Sequence, residues 1–553
     1  MKRLFLLFSL STISINLFSQ TIEIQKIDSI FEKYKTITNP GLAVGVIKNG
    51  NVVYKKNFGL ANVEHSIPIS DSTSFNIGSV TKTFTATCIL LLEKEGKLHL
   101  NDSLSKYFPD LPQFYHQITI KQLLNHTSGI RDYLILHSLT PNGLKYERDA
   151  LNDGDILYLL KRQKRLDFMP GTKFSYSNSG YWLLSKIIKK ASGKPLRVYA
   201  QEHIFNPLQM NSTCFRDDKW EIFKNRASGY WVDKEGNWLY DGAHTQIVGP
   251  SGIHTTIDDL IKWNNAFYRE KYFSQELIHK ITTTSKLTNG AKINQGLGME
   301  LNIDENSKSF GHRGASFGFL AIQWYYPDLD LGVIILANRN DAFGMQQRAN
   351  MIADILFPKK DTGKKKLGFK PMIITKKIKE KYIGNYWNSN EYLNRQVILE
   401  NDTLRYISSG NRKFNLIPIT ENKFSVFKGS KIITFETTNT SIEQMVINSS
   451  GEELTFKKYQ KANYSKHDLE DFLGSYYSEE LGSTIKLFNF KSKIGWKIEN
   501  KQYNDVLLEL QKDNFLIGNS ILISFTRNEY DKITGFYYNN TRANGLLFKK
   551  NMD

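Results

Sequence analysis

The sequence predicts an α+β chain in which one antiparallel sheet, flanked by helices and interrupted by a helical insertion, is followed by two small antiparallel β-barrels. Three observations carry this. Hairpin patterns stand at both ends of the first 357 residues, the stretch between them reads mostly as helices and loops, and a β-rich unit recurs at a spacing of 90 to 92 residues further on.

In chain order, MKRLFLLFSLSTISINLFSQ has two basic residues, an apolar run from Leu4 and small or polar residues by Ser19-Gln20. That is the layout of a secretory signal peptide over residues 1–19, so export to the periplasm or medium is expected. Polar residues between Ser9 and Asn16 break the run, and no later stretch reaches the roughly 18 apolar residues of a spanning helix, so no membrane span is expected.

Residues 20–357 read as the first domain. GLAVGVIKNGNVVYKKNFG (41–59) gives two strands about Asn49-Gly50, a pair that tolerates positive φ at both turn positions. GFLAIQWYYPDLDLGVIILANR (318–339) gives a second hairpin turning at Pro327-Asp328, and FGMQQRANMIADILF (343–357) a closing helix. Residues 358–375 are basic and poor in apolar side chains, a linker composition that predicts separate folding of the C-terminal part of the chain. There KYIGNYW (381–387) returns as DFLGSYY (471–477), NKFSVF (from 422) as DNFLIG (from 513), and LTFKKY (from 454) as LLFKKN (from 546). The repeat predicts two barrels, over 376–462 and 463–553, since closure removes exposed sheet edges.

Composition narrows the function. Hydrophobic residues make up 40% and charged residues 23%, which excludes a disordered chain. The net charge of +18 comes from scattered basic residues without interleaved aromatics, so a nucleic-acid groove is not indicated. Cys88 and Cys214 read as buried apolar residues rather than a disulfide framework. No metal site is visible.

FNIGSVTKTFTATCILLLEKEG puts Ser79 in the first turn of a buried helix with Lys82 on the same face. Burial lowers a lysine pKa, and a neutral amine beside a hydroxyl can accept its proton. Alone, the pair is a weak signal, equally read as a helix cap and a surface lysine. GTKFSYSNSGYWLLSKII adds Tyr176-Ser177-Asn178 before a helix, and FGHRGASFGF adds His312-Arg313-Gly314 opening a strand. Taken singly these read as a packed aromatic, a cap and a turn glycine.

In this order and at these separations, they resemble the penicillin-recognising serine hydrolases, the family of class C β-lactamases, DD-carboxypeptidases and D-aminopeptidases. ITIKQLLNHTSGI (118–130), GPSGIHTTIDDLIKW (249–263) and GLGMEL (296–301) look like the family's connecting segments. The resemblance implies a β-lactamase/DD-peptidase-like sheet, Ser79 as acylated nucleophile, Lys82 as its proton partner and Tyr176 as the proton shuttle to the leaving group. Asn178 would hold a substrate amide. His312 would stand on an edge strand where many members carry lysine, next to Gly314, and the N–H groups of Ser79 and Ala315 would form the oxyanion hole, worth about 3 kcal/mol per donor. No cofactor is implied. His126, before Thr127-Ser128-Gly129, reads as structural.

The resemblance leaves the substrate open: a D-residue peptide or amide, an ester, or β-lactams and peptidoglycan. The repeats resemble lipocalin-like modules. A different class of reading is a penicillin-binding module without turnover, or a carbohydrate- or peptidoglycan-binding protein. The oligomeric state is not legible.

Overall fold

The computed structural model describes residues 22–141, 151–242, 246–269, 272–304, 307–358, 372–408, 412–426, 431–438, 441–449, 452–498, 505–518 and 520–551. The expected signal peptide and most of the expected linker lie outside the described residues.

Residues from both ends of the first domain make one sheet. Its six antiparallel strands run in the spatial order Glu300–Asp304, Ser307–Ser316, Phe319–Tyr326, Leu331–Ala337, Leu42–Lys48 and Asn51–Phe58. The N-terminal hairpin turns on Asn49 (φ 51°) and Gly50 (φ 77°), as their conformational tolerance predicts. It joins the downstream hairpin through Leu42 opposite Ala337. Alternation along Leu42–Lys48 sorts the two faces. Leu42, Val44 and Val46 pack with Ile352 and Ala349 of the Met345–Leu356 helix, whereas Ala43 and Ile47 join the larger core built on the insertion helices.

At the centre of that larger core is the Thr81–Lys94 helix, buried on nearly every side. Phe84 stacks on Trp263 of the Ile257–Tyr268 helix with ring centroids 4.0 Å apart. Gly96, at φ 71°, follows the helix end. Cys88 and Cys214 are free and buried, as expected.

The two repeats share hydrogen bonds as well as sequence. Each opens on a short capped helix, Lys376–Lys381 behind Thr375 and Lys466–Glu470 behind Ser465. In the first, the Tyr386 hydroxyl donates to Tyr382 O at 2.7 Å; in the second, Tyr476 donates to Phe472 O at 2.8 Å. Only the second is a closed barrel, of eight strands from Gly474–Ser478 to Ala543–Lys550. The first is a nine-stranded sheet whose terminal strands, Lys413–Asn415 and Ile417–Pro418, are not hydrogen-bonded to each other among the described residues. Strand patterning counts strands but does not reveal whether the last pair closes.

The second barrel does not stand apart, contrary to what the linker composition predicts. Leu136, Leu139 and Leu159 of the first domain belong to its apolar core beside Phe472, Leu481 and Leu546. Next to them Arg131, with no exposed surface, bonds to Asp167 Oδ1 at 2.8 Å, Gln163 Oε1 at 2.8 Å, Glu480 Oε2 at 2.5 Å and the carbonyl of Asn544 at 2.7 Å. Removing one partner of such a buried pair typically costs 3–5 kcal/mol, because the remaining charge is left uncompensated. Glu480→Ala should therefore lower the melting temperature of the first domain together with the second barrel. A chain ending at Phe357 should melt lower and bind a hydrophobic dye. An unchanged melt of that shortened chain would show that the shared core contributes nothing.

Candidate active site

Ser79 sits in a single 3₁₀ turn, Gly78–Val80, that runs straight into the Thr81–Lys94 helix. Gly78 has φ 51°, and a Cβ there would come within 2.6 Å of Ala315 N. Gly314 makes the reciprocal approach, where a Cβ would lie 2.0 Å from Ile77 O. These two glycines let the Ser307–Ser316 strand lie directly against the turn that carries Ser79. The sequence motif His312-Arg313-Gly314 thus occupies the final part of this strand rather than its opening. The strand is second in the sheet, yet Glu300 pairs with Gly311 and the neighbouring strand extends no further, so residues 312–316 run on without it.

Lys82 is fully buried, and its Nζ has three partners: Asn178 Oδ1 at 2.8 Å, Pro250 O at 2.7 Å and Ser79 Oγ at 3.1 Å. None is a carboxylate. Burial holds the amine well below the usual lysine range, with Asp132 acting upward and Arg542 downward. The three contacts suit an ammonium and a neutral amine equally; burial favours the neutral form, and the Asp132 and Glu300 carboxylates oppose it. A neutral amine donates twice and accepts once. Asn178 Oδ1 and Pro250 O can only accept, so in the neutral form the lone pair would be left for the Ser79 hydroxyl.

Tyr176 faces the same amine, with Lys82 Nζ 4.8 Å from its ring centroid. Burial raises its phenol above the ordinary value, and the nearby Ser79 hydroxyl opposes the rise. His126 fixes this segment from both flanks: its carbonyl accepts from Ser175 N at 2.9 Å and its Nδ1 from Ser177 N at 3.1 Å. Its role here is to position Tyr176. Ser177, not Asn178, caps the following helix, its hydroxyl accepting from Gly180 N at 3.4 Å. Asn178 is instead a buried bridge, its Nδ2 donating to Asp132 Oδ2 at 2.8 Å while Oδ1 accepts from Lys82.

His312 is buried with Nδ1 against Arg313 O at 2.6 Å, and its Nε2 has no partner among the described residues. Burial lowers its pKa to about 4, with Glu300 opposing, so the ring is neutral at pH 7. Arg313 points the other way, as strand alternation predicts, and pairs with Glu300 Oε2 at 2.6 Å.

Two residues of the site carry no motif. Asp132, completely buried, takes Asn178 and the N–H of Leu134 at 2.9 Å. Arg542 arrives from the second barrel, at the tip of the hairpin in which Asn540 pairs with Ala543. Its carbonyl accepts from Asp132 N at 2.9 Å, its guanidinium lies 3.8 Å from Asp132 Oδ2, and its Cζ is 4.8 Å from the centroid of Tyr176. The neighbouring Thr541 carbonyl accepts from the Ser175 hydroxyl at 2.7 Å. One sequence signal points there: at the repeat offset of 92, Arg542 stands where the first copy has Ser450.

The assembled groups can activate a hydroxyl and deliver a proton without a metal, and among the described residues no cluster of metal-ligating side chains occurs. Because the Arg542 charge depresses the Lys82 pKa, Arg542→Ala should raise it. The acid limb of the kcat/KM–pH profile should then move to higher pH, since the base must be deprotonated to act. A limb that stays in place, or moves down, would remove Arg542 from the electrostatics of the site.

Known proteins share both the sequence pattern and the fold. The family model described as Beta-lactamase matches residues 27–356. Penicillin-binding protein 4* of Bacillus subtilis (strain 168) is 28% identical over 430 residues, covering 73% of this chain and 92% of its own. A D-aminopeptidase of Brucella canis is 29% identical over 317 residues, covering 56% of this chain and 58% of its own length. Among solved structures, an octameric penicillin-binding protein homologue from Pyrococcus abyssi superposes with a TM-score of 0.56 at 25% identity, over 86% of this chain and 98% of its own. A D-amino acid amidase from Ochrobactrum anthropi SV3 shares the fold, with a TM-score of 0.51 at 22% identity over 60% of this chain and 97% of its own.

Proposed function

The chain belongs to the beta-lactamase family and is a beta-lactamase-related serine hydrolase, and from that premise we propose that it cleaves an amide or ester through a Ser79 acyl-enzyme, with D-residue amides or peptides preferred. The observation that carries the reading is the buried Lys82 amine, held within hydrogen-bond distance of Asn178 Oδ1, Pro250 O and Ser79 Oγ; in its neutral form the first two would take its N–H groups and leave the lone pair for the Ser79 hydroxyl. In this reading Lys82 takes the hydroxyl proton as Oγ attacks the carbonyl. The N–H groups of Ser79 and Ala315, brought together by the close approach of Gly314, hold the oxyanion. Tyr176 passes the proton to the leaving group, and water then releases the acyl product. Asn178 and Asp132 hold the amine in place.

The D-residue preference draws on the likeness to a D-aminopeptidase and on the third motif. A neutral His312 and an Arg313 turned toward Glu300 leave that strand without a cation for the carboxylate of a β-lactam. A second reading, a β-lactamase or DD-carboxypeptidase acting on β-lactams or peptidoglycan, is favoured by the coverage of penicillin-binding protein 4*. Export is part of the proposal and draws on the N-terminal segment of the sequence. Among the described residues, no helix is long and apolar enough to cross a membrane.

A fluorophosphonate should label Ser79 alone, as read by peptide mass mapping. Labelling of Ser128 or Ser251, or full activity in Ser79→Ala, would end the proposal. Lys82→Ala and Tyr176→Phe should each lower kcat at least about a hundredfold, and the double variant should lose much less than the product of the two, because groups on one proton path act as a unit. Simple multiplication of the two losses would separate them. On a panel of D-aminoacyl amides, p-nitrophenyl esters and a chromogenic cephalosporin, the first two classes should turn over much faster. A kcat/KM on the cephalosporin above about 10⁶ M⁻¹s⁻¹, in the range of well-adapted enzymes, would favour the second reading.

A further inference from the structure

Against the segment that leads into the catalytic turn lies a shallow concavity of about 30 Å³, opening to solvent. A small three-stranded sheet forms its wall, with Ile253–Thr255 between Phe75–Asn76 and Cys214–Phe215. Asn76, His254 and Arg216 line the pocket from these strands and their ends, and Arg226, Ser228 and Asp241 complete its polar lining. The wall is continuous with the catalytic turn. Asn76 Oδ1 accepts from Gly78 N at 2.8 Å, and Ile253 N donates to Thr81 Oγ1 at 3.3 Å.

The donors here are in excess. Arg216 is 5% exposed, and its Nη2 donates to Lys219 O at 2.6 Å, but its buried Nε has no partner. His254, equally buried and neutral at pH 7, has an Nδ1 without a partner among the described residues, which donates or accepts according to its tautomer. Arg226 is half-buried and its charge reaches both Arg216 and His254. Burial, and after it the Arg226 charge, hold Arg216 below the usual guanidinium range, while Glu221 and Asp218 act the other way. Among the described residues of the lining, Asp241, itself partnered, is the carboxylate set against two guanidinium groups. A buried guanidinium N–H without a partner beside a second positive charge is costly, an anion received there would relieve it, and a planar carboxylate matches the guanidinium fork.

We propose that this pocket is an anion subsite of the hydrolase, in which Arg216 and Arg226 receive a carboxylate carried by the substrate, so that acidic D-residue amides or peptides are preferred over their neutral counterparts. The substrate half of this statement rests on the Ser79 reading; the binding half does not. Two measurements on the full chain separate them. The first compares D-glutamyl and D-glutaminyl p-nitroanilides, which match in shape and differ in charge. The acidic substrate should be favoured by on the order of tenfold in kcat/KM, chiefly through KM, and Arg226→Gln should remove the preference. Equal use of both substrates, or a preference that survives Arg226→Gln, overturns the assignment.

The second measurement titrates glutarate into the Ser79→Ala protein by calorimetry. Binding should weaken about tenfold on adding Arg226→Gln, and no binding, or binding indifferent to Arg226, overturns the subsite. If Ser79→Ala keeps its turnover while glutarate binding depends on Arg226, the acyl-enzyme reading falls and the anion site stands. If Ser79→Ala is inactive and neither test shows charge dependence, the subsite falls and the hydrolase reading stands.

Discussion

The Lys82 amine, shut away from water with no carboxylate in contact, is the constraint on which the rest of the catalytic half depends. An ammonium placed there without a paired charge would be expensive, and the surroundings are built to hold an amine instead. Asn178 and Pro250 present acceptors, Asp132 sets the direction of the Asn178 amide, and Ser177 and His126 hold the segment that contains Tyr176. The glycines at 78 and 314 serve the same end, since any side chain at either would push the Ser307–Ser316 strand away from the turn that carries Ser79. Loss of that clearance would therefore be felt first at the N–H groups of Ser79 and Ala315, the proposed oxyanion donors.

The second barrel enters this electrostatic arrangement rather than hanging beside it. One hairpin tip places the Arg542 charge over Tyr176 and next to Asp132, and the neighbouring turn at the same end of the barrel buries Glu480 against Arg131. Arg131 and Asp132 are chain neighbours, so docking of the barrel and orientation of the Asn178 bridge are mechanically joined. The duplicated unit has thus diverged in use: the copies keep the same tyrosine-to-carbonyl hydrogen bond at equivalent positions, while the arginine at the tip belongs only to the second.

What was legible in the sequence was local. Asn49-Gly50 announced its turn because only residues tolerant of positive φ close such a hairpin. Ser79 and Lys82 stood out because three residues on a helix bring two side chains to one face. Gly314 was visible as a motif, but its reason, a 2.0 Å conflict with Ile77 O, required the strand and the turn in three dimensions. Asp132 left no pattern and Arg542 only a departure from the repeat, because their partners come from other elements, and the Arg131–Glu480 pair spans 349 residues. The closed and open barrels read alike in sequence because closure is a property of the terminal strand pair alone. The linker composition misled about independence for a related reason: it describes the connection, whereas Leu136, Leu139 and Leu159 describe the contact.

The protonation state of Lys82 tests the account most directly. In protein labelled with ¹⁵N at lysine side chains, the Nζ resonance of Lys82, assigned by its loss in Lys82→Ala, should report a neutral amine at pH 7. It should take up a proton only far below the value near 10.4 of an unperturbed lysine. An ammonium resonance that persists to pH 10 would contradict the account, because the lone pair facing Ser79 would then not exist at any pH at which the enzyme works.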